Sequence, residues 1–342
     1  MDKHILKDTI TQLFAGSKGI LAMDESNGTC NKRFAAAGIP QTVEMRRSYR
    51  ELILTTPGLN ESIGGAILYD ETIRQQTKDG VPFIEVLRNA GIIPGIKVDT
   101  GAKPMAGFPN EKITEGLDDL RDRLVEYKEL GARFAKWRGV ITIGIEIPTL
   151  ACINANAHAL ARYAALCQEA GIVPIVEPEV LMSGDHTIQR CYDVTEQVLK
   201  NLFYQLYQNK VDLEVMILKP NMVIAGTESD TQNSIDEVAE ATVNCLLASV
   251  PAAVPAIAFL SGGQSAEDAS AHLNAIHKKF KNRLPWIVSF SFARAIQQPA
   301  LDFWKGKQAN IEEAQNLLYK RATLNSAARR GEYNSELELS VV

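Results

Sequence analysis

Two lysines and three carboxylates stand in this sequence where a charge is costly. Lys136 lies in Phe134-Ala-Lys-Trp-Arg138 and Lys219 in Leu218-Lys-Pro-Asn-Met222, each preceded by apolar residues. Asp24 closes the run Gly19-Ile-Leu-Ala-Met-Asp24, and Glu177 and Glu179 close Val173-Pro-Ile-Val-Glu-Pro-Glu179. A buried charge is tolerated only when it meets a partner, so these groups are expected to face one another. A lysine amine is a nucleophile only when neutral, against an unperturbed pKa of about 10.4. A neighbouring cation and a dry pocket both lower that value. An amine so tuned attacks a carbonyl and forms a Schiff base. The protonated imine then draws electrons from the adjacent carbon, which permits C–C cleavage or proton removal without a metal. Nearby carboxylates serve as general acid and base. Lys136 and Lys219, with Asp24, Glu177 and Glu179 at hand, point to a Schiff-base lyase or isomerase.

Two small-residue loops suggest what the substrate carries. Leu260-Ser-Gly-Gly-Gln-Ser265 exposes backbone N–H groups at the start of an expected helix, which is the chemistry of a phosphate cradle. Arg294, after the last apolar run, is placed to add a bidentate contact. Glu25-Ser-Asn-Gly-Thr29 is a second such loop, followed by Lys32 and Arg33. Two loops, each near a basic residue, suggest two phosphates on one substrate. The string Leu-Ser-Gly-Gly-Gln also occurs in ABC-type ATPases. The Gly-x-x-x-x-Gly-Lys-Ser/Thr loop that such an enzyme needs is missing from this sequence.

The elements that position these residues are eight short apolar runs: Gly19–Asp24, Ile63–Tyr69, Ile92–Asp99, Phe134–Ile141, Val173–Glu179, Val215–Asn221, Ala256–Gly263 and Trp286–Ala293. Each is nearly all apolar until its end, the pattern of a parallel strand buried on both faces. Their starts lie 29 to 44 residues apart. The gaps hold amphipathic segments such as Gly116–Leu130, Ala157–Ala170, Thr187–Gln208, Ser234–Val250 and Ala266–Lys279. Eight strand–helix units predict an α/β fold of the TIM (β/α)8 barrel type, in which all C-terminal strand ends converge on one mouth. A doubly wound sheet would want a Gly-x-Gly-x-x-Gly turn, and none is present. Seven of the eight runs end in or near ionisable residues, among them Lys97 and Arg138. Asp70 and Glu71, after the second run, read instead as ordinary helix-start acids. One domain is expected over residues 1–330, with further C-terminal helices at about Pro299–Trp304 and Asn310–Ala328, and a mobile acidic tail over 331–342.

Composition narrows the class. The chain of 342 residues is 46% apolar and 23% charged, which is ordinary for a globular protein and excludes wholesale disorder. A net charge of −5 argues against nucleic-acid or anionic-membrane partners, although it permits a local basic pocket. The longest apolar run, about Val250 to Leu260, is broken by Pro251 and Pro255, so no membrane-spanning helix is expected. No apolar signal region follows Met1-Asp2-Lys3-His4. The five cysteines (Cys30, Cys152, Cys167, Cys191, Cys245) show no Cys-x-x-Cys spacing, and the five histidines no His-Glu-x-x-His. Disulfides and a metal site are therefore not expected, and a reducing compartment fits.

Six blocks in order resemble class I fructose-1,6-bisphosphate aldolases. They are Gly19–Ser26, Gly95–Asp99, Phe134–Arg138, Ile172–Glu179, Leu218–Met222 and Phe259–Ser265. The resemblance covers nearly the whole chain. It implies Lys219 as the Schiff-base lysine, Glu177 as general acid/base and Glu179 as a supporting carboxylate. It implies Asp24 as the acid that orients the substrate and handles the C4 hydroxyl proton, with Lys136 as the cation beside the nucleophile. Ser261, Gly262, Gly263 and Arg294 match one phosphate site, and Ser26, Arg33, Lys97 and Arg138 match groups around the other end of the substrate. The implied reaction is reversible cleavage of fructose 1,6-bisphosphate to dihydroxyacetone phosphate and glyceraldehyde 3-phosphate, without metal or other cofactor. A cytoplasmic homotetramer serving glycolysis and gluconeogenesis is implied too. Related Schiff-base barrels act on other sugar phosphates, such as sedoheptulose bisphosphate or fructose 1-phosphate, and a further scaffold or adhesin role is compatible with the same residues. Many family members end in a tyrosine that helps move a proton on the enamine. This chain ends Leu339-Ser-Val-Val342, its nearest tyrosine is Tyr333, and Phe292 stands where tyrosine is common. Enamine protonation is therefore expected to be slower here or to use another group.

Overall fold

The computed structural model of the chain describes residues 2–339. Eight parallel strands close into a barrel: β1 (Gly19–Ala22), β2 (Ile63–Leu68), β3 (Ile93–Lys97), β6 (Phe134–Ile141), β7 (Val173–Val180), β8 (Ile217–Leu218), β9 (Ala256–Phe259) and β10 (Ile287–Phe292). Around the ring the order is β1-β10-β9-β8-β7-β6-β3-β2. Every expected run contributes one strand, so the (β/α)8 barrel stands. A two-stranded antiparallel hairpin, β4 (Gly101–Pro104) with β5 (Lys112–Glu115), lies outside the ring and was not among the expected elements. Its strands of four residues are mostly exposed and too short to show a period.

Thirteen helices accompany the described strands: α1 (Lys3–Leu13), α2 (Asn27–Ala36), α3 (Val43–Leu54), α4 (Asp70–Ile73), α5 (Phe83–Asn89), α6 (Leu120–Leu130), α7 (Leu150–Ala170), α8 (Ile188–Gln208), α9 (Ile235–Ser249), α10 (Ala266–Phe280), α11 (Arg294–Trp304), α12 (Ile311–Arg330) and α13 (Ser335–Leu339). Asp70 and Glu71 do open a helix, α4, and both are tied locally: Asp70 to Arg74 and Tyr127, Glu71 to Arg46 and Asn27. Among the eight barrel strands, the boundaries differ most from the sequence expectation at β8. Residues Leu213–Val215 wind into a 3-10 turn capped by the Asp212 carboxylate, and Pro220 brings no N–H to extend the ladder. The expected tail, 331–342, is described as far as Leu339. Over that span Tyr333 donates to Glu338 at 2.7 Å, and Glu338 accepts from the buried Arg321 of α12 at 2.6 Å. Residues 340–342 lie outside the described residues.

The barrel interior is divided into two halves. Alternate residues of a strand face the same side, and the lower inward positions are apolar. Ile20, Ala22, Ile67, Ile93, Phe134, Val173, Ile175, Ile217, Ala256 and Ala258 form one cluster with Leu6, Ile10, Leu13 and Phe14. The last four come from α1 and the residue after it, so this helix plugs the bottom of the barrel. Close approach there demands glycine. A Cβ on Gly64 would overlap the Leu13 carbonyl, and one on Gly95 would overlap the Phe134 ring. The outward residues, such as Leu21, Trp137, Val176 and Leu218, belong to a second and larger core beneath the helices. Because one clash is with backbone, Gly64→Ala is expected to destabilise the fold by about 1–3 kcal/mol in urea unfolding. Gly28→Ala, where an added Cβ meets nothing within 4 Å, is expected to stay within about 1 kcal/mol of wild type.

Candidate active site

The period of two that fills the lower barrel with apolar side chains also delivers charges to its upper half. On β6 the inward series is Phe134, Lys136, Arg138. On β7 it is Val173, Ile175, Glu177, Glu179, and on β8 Ile217 leads to Lys219. Register pairs Lys97 with Lys136, Arg138 with Glu177, and Val140 with Glu179. Lys219 keeps its place beyond the short β8 because its N–H donates to the Val176 carbonyl at 2.8 Å. These side chains line a cavity of about 390 Å³ at the C-terminal mouth, within the size range of small-molecule sites.

At the centre Glu177 stands between the two lysines. Its Oε1 lies 3.2 Å from Lys219 Nζ and its Oε2 3.4 Å from Lys136 Nζ. Lys136 also donates to Asp24 Oδ2 at 2.7 Å. All four side chains are buried. The lysines therefore differ in their surroundings: Lys136 is bracketed by two carboxylates, whereas Lys219 meets Glu177 alone. Two further pairs flank the centre, Arg138 with Glu179 and Lys97 with Asp99 at 2.7 Å.

Burial alone would raise the Asp24 carboxyl, but the Lys136 and Lys219 charges outweigh it and hold the group at about 2. Burial likewise works against an ionised Glu177, and Lys219 and Lys136 together keep its carboxyl below the ordinary range. Lys136 is pushed the other way from a desolvated amine. Burial would discharge it, yet Asp24 and Glu177 hold it firmly protonated, well above the usual lysine value. Lys136 is thus a fixed cation.

Eleven of the thirteen expected site residues line this one cavity: Asp24, Ser26, Lys97, Lys136, Arg138, Glu177, Glu179, Lys219, Ser261, Gly262 and Arg294. Two stand outside its lining. Arg33 turns to Glu25, Tyr49 and Gln298. Gly263, the next residue of the loop, is exposed, and a Cβ there would come 3.1 Å from an Arg294 guanidinium nitrogen. Arg294 itself is exposed and has no ion-pair partner among the described residues. Asp99 and Glu25, outside the set expected from sequence, also line the cavity. Asp99 binds Lys97 and accepts from the Gly101 N–H at 3.1 Å, and Glu25 is gripped by Arg33 and Arg50. A carboxylate closing the same run as Lys97 was the available signal for Asp99. Phe292 is buried against Phe290, and the Tyr333 hydroxyl is engaged by Glu338. Among the described residues no group of three or more His, Cys, Asp or Glu side chains is arranged to hold a metal ion, and no helix is long and apolar enough to cross a membrane.

Comparison with known proteins agrees with this geometry. Residues 5–341 match the family model described as fructose-bisphosphate aldolase class-I. The chain is 57% identical over 329 residues to a probable fructose-bisphosphate aldolase class 1 of Xanthomonas campestris, covering 96% of this chain and 98% of that one. It is 49% identical to fructose-bisphosphate aldolase 6, cytosolic, of Arabidopsis thaliana, covering 94% and 89% of the two chains. Among solved structures it superposes with a TM-score of 0.95, at 45% identity, on the fructose-bisphosphate aldolase of Plasmodium falciparum, crystallised with TRAP and a small-molecule inhibitor. That match covers 97% of this chain and 96% of the other. The barrel, its ring of charges and these similarities place the chain in the class I fructose-bisphosphate aldolase family.

Proposed function

We propose that the barrel mouth cleaves fructose 1,6-bisphosphate reversibly into dihydroxyacetone phosphate and glyceraldehyde 3-phosphate, through a Schiff base on Lys219. The observation that carries the reading is the placement of Glu177, with one oxygen toward each lysine. Glu177 is close enough to take a proton from Lys219, which frees the amine to attack the substrate's C2 carbonyl. The same carboxyl returns the proton to the carbinolamine hydroxyl, which leaves as water and generates the protonated imine. Asp24 holds and accepts the C4 hydroxyl proton. The C3–C4 bonding electrons pass to the imine nitrogen, glyceraldehyde 3-phosphate departs, and an enamine remains. Protonation at C3 and hydrolysis release dihydroxyacetone phosphate and restore the amine. Lys136, a fixed cation, keeps both carboxylates compact and ionised around the reacting carbons. The imine nitrogen supplies the electron sink, so no metal is required.

The ring order supports a substrate with two phosphates. Strands β9 and β10, which carry Ser261–Gly262 and Arg294, stand opposite β3 and β6, which carry Lys97 and Arg138. Anion-binding groups therefore face each other across the barrel mouth, which favours a bisphosphate over a monophosphate. Ser26, at the end of β1, caps α2 and lines the same cavity. The reading extends to a cytoplasmic homotetramer in glycolysis and gluconeogenesis, with the cytosolic Arabidopsis relative in support of the location.

In a coupled assay with EDTA present, the intact protein is expected to turn over fructose 1,6-bisphosphate at full rate. Lys219→Met is expected to abolish turnover. Glu177→Gln is expected to lower kcat by about 10²–10⁴ while changing KM far less. Loss of activity on EDTA addition, or wild-type kcat in Glu177→Gln, contradicts the reading. A stability profile checks the charge cluster separately. The Asp24 carboxyl titrates lower in the folded chain, at about 2, than its ordinary 3.8. Its ionisation therefore stabilises the fold above about pH 4, and that contribution is lost as pH falls toward about 2. Asp24→Asn is expected to flatten this acid limb by on the order of 2 kcal/mol.

A further inference from the structure

The loop that ends β9 is held by more than its own turn. The Gln264 backbone N–H and its side-chain Nε2 both donate to the Ser261 carbonyl, each at 3.0 Å. A carbonyl only accepts, so this contact fixes which way the Gln264 amide points: nitrogen toward Ser261, oxygen away. The outward Oε1 meets His272 Nδ1 at 2.7 Å. An amide oxygen also only accepts, so His272 must carry its proton on Nδ1. That proton is present in the neutral tautomer this contact selects and in the charged imidazolium alike. His272 lies in the second turn of α10 and is buried at 8% exposure.

The consequence appears on the other face of the loop. In a trans peptide the carbonyl of one residue and the N–H of the next point in opposite directions. Tying the Ser261 carbonyl back to Gln264 therefore turns the Gly262 N–H away from Gln264, and Ser261 and Gly262 line the cavity. Among the described residues nothing accepts from the Gly262 or Gly263 N–H. Both glycines have positive φ, +63° and +100°, in a region where a peptide flip meets little steric resistance. A flip would swing the carbonyl toward the anion seat and the N–H out of it. The Gln264 clamp opposes that flip, and His272 holds the clamp.

Resting on the phosphate-ester reading above, we propose that His272 is a positioning residue, which through Gln264 locks the Ser261–Gly263 peptides in the conformation that binds a phosphate group. The side chain does not line the cavity. Its effect is on anion affinity, through the orientation of the backbone N–H groups.

The test titrates inorganic phosphate into the full-length protein by calorimetry and measures kcat and KM for fructose 1,6-bisphosphate in parallel. His272→Leu and Gln264→Ala are expected to weaken phosphate binding and raise KM by about tenfold, the equivalent of about 1.4 kcal/mol or one hydrogen bond. kcat is expected to stay within about twofold. His272→Asn, whose Nδ2 stands near the place of the imidazole Nδ1, is expected to restore wild-type affinity. Gln264 is only half-buried, so its variant reads the clamp even where His272→Leu fails to fold. Unchanged phosphate affinity in Gln264→Ala overturns the proposal. So does His272→Asn as impaired as His272→Leu, which would indicate simple packing. A wild-type protein that binds phosphate through this clamp but does not cleave the bisphosphate supports the clamp and overturns the substrate reading instead.

Discussion

A carboxylate cannot be left alone in the middle of a barrel, and neither can an ammonium. The structure answers both demands with the Asp24–Lys136–Glu177–Lys219 chain, in which every member meets an opposite charge within 3.4 Å. Removing one member of such a set leaves a buried charge without its partner, which is more costly than never having buried the set. The reaction depends on the same compensation. Glu177 stays ionised because two lysines face it, and in the proposed mechanism it is the unprotonated carboxylate that receives the Lys219 proton. Asp24 and Glu177 hold the Lys136 amine protonated, which is why Lys219 is the nucleophile of the proposed mechanism.

The rest of the fold makes that chain affordable. Polar groups in the upper barrel are stabilised by one another, so the lower barrel must supply the apolar burial. It does so with alternating Ile, Val, Ala and Phe positions sealed by Leu6, Ile10 and Leu13 of α1. Phe134 fills the space that Gly95 leaves on the neighbouring strand, and Lys136 follows it two residues later on the same inward face. Packing at the bottom and chemistry at the top are thus successive turns of a single pleat. A slip of one residue in β6 would exchange Lys136 for Trp137, which now packs against Tyr163 beneath the helices.

The strands were legible because parallel strands buried on both faces read as unbroken apolar runs, and charges at the ends of such runs stand out. Asp24, Lys136, Glu177 and Lys219 announce themselves in this way, and the structure brings all four together. Legibility failed where tertiary contacts override local pattern. The run around Ile217 looked like a seven-residue strand, but a 3-10 turn and Pro220 reduce it to two ladder residues. Arg33 looked like a free base beside a glycine-containing loop, yet Glu25, eight residues earlier, captures it across the turn. Asp99 closes the same run as Lys97, and only the fold shows that the two form one pair. The Gln264–His272 contact carries no sequence signature. It depends on how the loop folds back on α10, and spacing alone does not show that.

In the proposed mechanism Lys219, and not Lys136, becomes covalently bound to the substrate carbon. Borohydride reduction of the protein mixed with dihydroxyacetone phosphate, with EDTA throughout, followed by digestion and mass spectrometry, identifies the lysine that carries the adduct. A reduced adduct is expected on Lys219 and none on Lys136. An adduct on Lys136 would contradict the assignment of the fixed cation. No adduct, with activity abolished by EDTA, would contradict the Schiff-base mechanism itself.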